Sequence, residues 1–229
     1  MKTSFRFLLL SVIAVTVLSS NFLVLAKQDE LELTVIELKL DERNETVYTS
    51  TSEGDAGANP DYKLLRYHWY STAEYYINPK NSGLNEGGVI STITASAATW
   101  DSATASTVFS YKTSTTATAG SRDGLNLVSF GAYKPGVIGV TYIWTIGRRI
   151  IETDTRLNTY YTWSLSGENG KMDVQNIMTH EFGHWAGLDD LYKSRDYWLT
   201  MYGYSNYGIT YQRTLGLGDV LGLQKVYGP

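Results

Sequence analysis

The sequence predicts an α+β domain: a mixed, twisted sheet with a histidine-bearing helix against it and a second helix closing the C-terminus. Three observations lead there. Apolar and polar residues alternate through several short segments rich in Val, Ile, Thr and Tyr, the period of half-buried strands. "DVQNIMTHEFGHWAGL" instead carries its apolar residues at helical spacing. The segments also follow the order strand, helix, strands, helix, loop, helix, with no internal repeat and with lengths that fit one good-sized domain.

Residues 1–26 stand apart. Lys2 and Arg6 precede an apolar run from Phe7 to Leu18, and Val24-Leu25-Ala26 puts small residues where a signal peptidase cuts. A secretory signal peptide and an extracellular destination are expected; Ser19, Ser20 and Asn21 weaken the alternative of a retained membrane anchor. Once it is removed, no span remains. Residues 27–60 are acidic and polar. They open with "LELTVIELKL", which could make one strand, and continue as "ERNETVYTSTSEGDAGANP", with the sequon Asn44-Glu45-Thr46 inside. This segment is expected to be a pro-segment or linker, with an ordinary N-terminal extension as the alternative.

From residue 61 to 229 the composition is that of a folded domain. "RYHWYSTAEYYIN" predicts a strand ending near Asn78-Pro79. "EGGVISTITASAATWDSAT" predicts a helix with Ile90, Ile93, Ala97 and Trp100 inward. "STVFSYKT", "LNLVSFG" and "GVIGVTYIWTIG" predict strands, and "RRIIETDTRLNTYYTWSL" one or two more. Asp173 is a natural cap for the histidine helix, and "GDVLGLQKVYG" predicts the closing helix with Val220, Leu223 and Tyr227 on one side.

Nineteen basic and 23 acidic residues give a net charge of −4, and no basic block is present, so a nucleic-acid partner is not expected. Cysteine is absent, which removes disulfides, thiolate ligands and a cysteine nucleophile. A monomer is expected.

Chemistry concentrates in "HEFGHWAGLDD", His180 to Asp190. On a helix His180 and His184 lie one turn apart, about 40° from each other around the axis, so both imidazoles can reach one zinc ion. Met178, Phe182 and Trp185 form a stripe on nearly the opposite face, suited to the core. Glu181 can take a proton from a water that zinc has acidified, and is the candidate catalytic base. Only three histidines occur in the chain, and the third, His68, sits upstream in "YHWY" where a packing role is expected. No glutamate follows Glu181. The third ligand is therefore sought among Asp189, Asp190, Asp196 and Asp219. Gly187 tolerates the left-handed turn that would fold the chain back, which favours Asp190, with Asp189 one register away.

These residues resemble the metzincin zinc endopeptidases, whose signature H-E-x-x-H-x-x-G-x-x-(H/D) is matched with Asp190 in the last slot, the snapalysin-like variant. The resemblance spans about Asp61 to Pro229. It implies a zincin fold, a single catalytic zinc and hydrolysis of an extended peptide or protein substrate. "LTMYGYS" resembles the methionine turn, which would put Met201 beneath the site, and "RTLGLGDVLGLQKVYG" resembles the matrixin ending. "GVIGVTYIWT" resembles the edge strand to which substrate adds, implying contacts at Val140 and Tyr142. Two residues after Met201, where some members carry a switching tyrosine, stands Gly203; Tyr202 is expected to pack and Tyr204 to contact substrate or line a wall. Without cysteine, the matrixin latency device is excluded, and an aspartate such as Asp55 or Asp61 on the metal is a conceivable substitute. Calcium could bind Asp189 with Asp190, or Asp123 with Asn126, but no calcium-loop spacing supports it. Two other readings stay open: a catalytically silent, zinc-stabilised extracellular binding module, and a non-metzincin zinc peptidase using Asp196 or Asp219.

Overall fold

A computed structural model describes residues 3–6, 29–42 and 58–229. The signal-peptide reading falls mostly on residues outside these, as do the sequon, Asp55 and most of the linker. Among the described residues no helix is long and apolar enough to cross a membrane.

In chain order the strands and helices are β1 (Thr3–Arg6), β2 (Leu31–Leu40), β3 (Ala73–Asn78), α1 (Glu86–Asp101), β4 (Phe109–Ser114), β5 (Asn126–Gly131), β6 (Val137–Ile146), β7 (Arg149–Asn158), the short pair β8 (Trp163–Ser164) and β9 (Met172–Asp173), α2 (Val174–Trp185), β10 (Tyr204–Ser205) and α3 (Leu217–Tyr227). The main sheet runs β4-β3-β5-β7-β6-β2-β1, and β10 pairs with β2. β4, β3, β5 and β7 are mutually parallel; β6 is antiparallel to β7, and β2 is antiparallel to β6. The fold class is thus α+β with a mixed sheet, as the periodicities predict.

Local chemistry explains the helices. Asn85 caps α1 by accepting from the Gly88 amide at 2.9 Å, and Asp173 caps α2 by accepting from the Asn176 amide at 2.9 Å. Val89, Ile93, Ala97 and Trp100 are the buried face of α1, so the inward face includes Val89, and Ile90 is only half-buried. In α3 Leu223 alone of the expected stripe is fully buried; Val220 and Tyr227 are half-buried because Gly222 and Gly218 carry the closest packing. The expected strand at Arg66–Asn78 begins only at Ala73. Upstream the chain makes single bridges, Leu64 to Leu188 and His68 to Arg149.

The core lies between sheet and helices. Phe182 and Trp185 of α2 stack their edges against Tyr75 of β3 and Phe109 of β4, with ring centroids 5.0–6.4 Å apart. α1 lies across α2, where Trp100 Nε1 donates to the Thr179 carbonyl at 2.7 Å and Ser96 Oγ to the Gln175 carbonyl at 3.2 Å. These contacts fix α2 with its aromatic side on the core and its histidine side toward β6.

"LELTVIELKL", expected as one strand within a pro-segment or linker, is a ten-residue strand, and it pairs with the main sheet. β6 is therefore flanked on both sides and is not the free edge that the substrate reading requires.

Candidate metal centre

His180, Glu181 and His184 project from α2 and are fully buried. Gly187 adopts φ +93, reversing the chain after the helix, and its missing side chain leaves the Tyr67 carbonyl in place. The reversal brings Asp190 back. His180 Nε2 and His184 Nε2 are 3.1 Å apart, and each is 3.3 Å from Asp190 Oδ1. These three are the one His/Asp/Glu group among the described residues whose ligand atoms cluster tightly enough for a metal. Three corners of a tetrahedron with metal–ligand lengths of 2.0–2.1 Å stand about 3.3 Å apart. The triangle matches that spacing.

The donor set fits a cation chemically as well. His180 Nδ1 donates to the Thr200 carbonyl at 2.8 Å, and His184 Nδ1 to the Leu188 carbonyl at 3.0 Å. With Nδ1 committed as a donor, Nε2 is the atom that each ring in its neutral form has left to offer a cation beside the carboxylate. Asp190 Oδ1 is buried without a hydrogen-bond partner. Burial pulls the His184 imidazole down, but the Asp190 carboxylate overcomes this and raises it to about 9. Burial likewise pushes Asp190 up, yet His184 and His180 hold it well below the usual carboxylate range. Both shifts express one fact: this pocket stabilises positive charge.

Glu181 sits beside the triangle. Burial raises its carboxyl, against the opposing pull of the two imidazoles and of Thr141. Its Oε2 accepts from Thr141 Oγ1 at 2.6 Å, while Oε1 is buried and unpartnered. Thr141 Oγ1 and Thr155 Oγ1 are 2.5 Å apart, and Trp185 Nε1 donates to Thr155 Oγ1 at 2.9 Å. Because Thr141 gives its proton to the carboxylate, Thr155 donates to Thr141, so a chain of bonds returns from α2 through β7 and β6 to Glu181. Gly139 makes room: a Cβ there would lie 2.4 Å from Glu181 Oε1.

Met201 is buried below the site, and its sulfur fills the space over Gly183, where a Cβ would meet Sδ at 2.1 Å. The turn around Met201 is held by Asp219 of α3, which accepts from the amides of Thr200 (2.8 Å), Met201 (3.1 Å) and Gly216 (2.8 Å). Asp219 is thus a backbone clamp and not a ligand. Asp196, the other rival ligand, accepts from the Asn59 amide group at 3.0 Å and lies outside the metal cluster. Asp189 pairs with Lys63 at 3.0 Å and accepts from the Asp190 amide, which leaves Asp190 as the inward carboxylate. Asp61, considered for latency, is held by Lys193 and Arg195 and also stands outside the cluster. His68 packs against Tyr70 and Tyr227.

Val140 and Tyr142 lie on β6 on either side of Thr141, and positions 139 and 141 alternate with 140 and 142 across the sheet. Since Gly139 and Thr141 meet Glu181, Val140 and Tyr142 face the other side of the sheet, where Tyr142 stacks on Trp144 and lies under Arg156. Tyr204 is in β10, its ring 5.5 Å from Tyr192 and 5.8 Å from Tyr202. Sequence reasoning missed Tyr192, whose hydroxyl donates to Asp190 Oδ2 at 2.8 Å. Gly203 opens the space for it: a Cβ there would lie 2.4 Å from the Tyr192 ring. Thr141 and Thr155 were missed because each acts across a large sequence separation, and Asp219, considered as a ligand, serves instead as a backbone clamp.

No protein-family model and no curated protein matches the sequence. Among solved structures the chain is similar to metalloproteinase-II from Bacteroides fragilis, with 13% identity over 88% of this chain and 74% of that one, at a TM-score of 0.41.

Proposed function

We propose that the chain is an exported zinc endopeptidase of the metzincin kind, and the observation that carries this is the His180–His184–Asp190 triangle with an unpartnered Glu181 oxygen beside it. Zinc, when bound, would supply a Lewis acid able to bring a water's pKa near neutrality. His180, His184 and Asp190 would hold it. Glu181 Oε1 is the proton acceptor: Thr141 fixes Oε2, so the free oxygen is the one that can take a water's proton and later hand it to the leaving amine. Tyr192 orients the Asp190 carboxylate, and Met201 with Asp219 sets the floor on which the His180 ring rests through Thr200. An aspartate in place of a third imidazole leaves the site with less net positive charge, which puts more weight on Glu181 and on backbone donors for the oxyanion. The substrate would be an extended peptide; its pairing with β6 backbone, including Val140 and Tyr142, with Tyr204 beside it, requires β2 to leave that strand.

The test compares zinc content and hydrolysis of an unfolded protein for wild type and Glu181→Gln, as the intact chain and after cleavage between Glu42 and Ala58. Zinc in both proteins with hydrolysis only in wild type is expected. Zinc in both with no hydrolysis in any form would favour the silent binding module instead.

A further inference from the structure

We infer that the cleft at the β6–β7 hairpin is a binding site for an acidic peptide segment, held through Arg148 and Arg149. It lies at the far end of β6 from Glu181, with Ile146 roughly 20 Å of strand beyond Gly139, and the inference stands apart from the peptidase reading. The tip is a tight turn: Ile146 pairs with Arg149, and Gly147 takes φ +61, which leaves Arg148 at the apex. A second piece of chain is locked to it. The His68 amide donates to the Arg148 carbonyl at 3.1 Å, and the Ile150 amide to the His68 carbonyl at 3.0 Å. This seats Tyr70 beside the turn, so that Tyr70, Ile146, Arg148, Arg149, Ile151 and Asp29 line a cleft of about 570 Å³.

The lining selects the ligand. Both arginines are exposed, and among the described residues neither guanidinium has an ion pair. The Arg149 fork is held in place: it lies over the Tyr70 ring, 5.3 Å from the centroid, and that ring stacks on His68 at 4.7 Å and 26°. Burial and the neighbouring Arg148 lower the His68 imidazole, so the stack is neutral near pH 7 and the two guanidinium groups carry the positive charge of the cleft. Guanidinium forks bind carboxylates through paired hydrogen bonds, and a stacked fork gives up little freedom in doing so. Three further features single out a peptide among anions. The cleft is far larger than one inorganic anion and falls in the range of about 300–1,000 Å³ that suits a short organic segment. Tyr70 is 60% exposed and Ile146 41%, so both offer apolar surface to a side chain next to the carboxylate. Asp29 lies over the Gly147 backbone, where a Cβ would come within 2.7 Å of Oδ2. Its carboxylate repels a dense polyanion such as a sulfated glycan and can accept from the amides of a peptide. Exposed tyrosine and arginine together are enriched on surfaces that hold a protein partner.

The experiment uses the full chain carrying Glu181→Gln, so that a probe is not consumed at the metal centre, and follows the fluorescence anisotropy of a labelled acetyl-Gly-Glu-Leu-Glu-Gly amide. The same peptide with glutamine in place of glutamate is the control. The acidic probe is expected to bind about 100-fold more tightly than the control, about 10-fold for each carboxylate. Arg148→Ala and Arg149→Ala should each weaken it about 10-fold, and both together should bring it to the level of the control. Thermal midpoints should stay unchanged, because both side chains stand in solvent. Arg149→Lys should recover little of the loss, since lysine keeps the charge without the fork. Raising salt from about 0.05 M to about 0.5 M should weaken the acidic probe and leave the control unmoved. Charge reversal gives a gain that misfolding cannot imitate: Arg148→Glu/Arg149→Glu should bind the lysine counterpart of the probe and lose the acidic one. Equal binding of acidic and neutral probes, or acidic binding that survives the double alanine variant, would overturn the inference. So would displacement of the probe by a sulfated disaccharide at lower concentration than by unlabelled peptide, since the cleft would then be a sulfate site.

Discussion

Replacing Gly139 by alanine places one methyl group where it must collide with the proposed base. The added Cβ would lie 2.4 Å from Glu181 Oε1 and 3.2 Å from its carboxyl carbon. Non-bonded heavy atoms rest at about 3.5 Å, so Oε1 must withdraw by about 1 Å, and Thr141 holds the other oxygen against that movement. A displacement of about 1 Å at a reacting group costs on the order of 100-fold in rate, which corresponds to about 2.7 kcal/mol of transition-state stabilisation. The zinc ligands are not touched. Initial rates on a quenched fluorogenic peptide, measured with the chain cleaved between Glu42 and Ala58, should show kcat/KM down about 100-fold with one zinc still bound, and overpacking should cost about 1–3 kcal/mol of stability. Rates within about threefold of wild type, with zinc bound and the fold intact, would refute the assignment of Oε1 as proton acceptor.

Three further outcomes are expected. Tyr192→Phe removes the hydroxyl that orients Asp190 and should weaken zinc binding about 10-fold by competition with a chromophoric chelator, leaving the thermal midpoint of the metal-free protein close to wild type. Gly183→Ala drives a methyl group into Met201 Sδ and the Trp100 ring, so thermal unfolding should shift down by several degrees, from an overpacking cost of about 1–3 kcal/mol. Asp154 is raised to about 8 by burial, although the amides of Gly120 and Leu127 donate to it. Its native carboxyl keeps a proton that the unfolded chain has already released, so this contribution is complete below about pH 4 and is lost as pH rises through about 8. Asp154→Asn should therefore gain on wild type in melting temperature between about pH 5 and about pH 8, and parallel curves would disprove the assignment.

What sequence by itself determined is what depends on short separations. The helix from Asp173, the one-turn spacing of His180 and His184 and the left-handed exit at Gly187 all follow from bonds and rotations between residues a few positions apart. Alternation likewise marked β3 through β7, because side chains point to the two faces of a sheet. Hydrogen bonds run within the sheet, at right angles to that pattern, so alternation says which face is buried and nothing about which strand lies alongside. For that reason "LELTVIELKL" was legible as a strand, while its seat between β6 and β10 was decided only by the tertiary structure. The same holds for the setting of Glu181. Its partner Thr141, the space at Gly139 and the Asp219 clamp on the turn around Met201 join residues brought together by packing, and no local period encodes them.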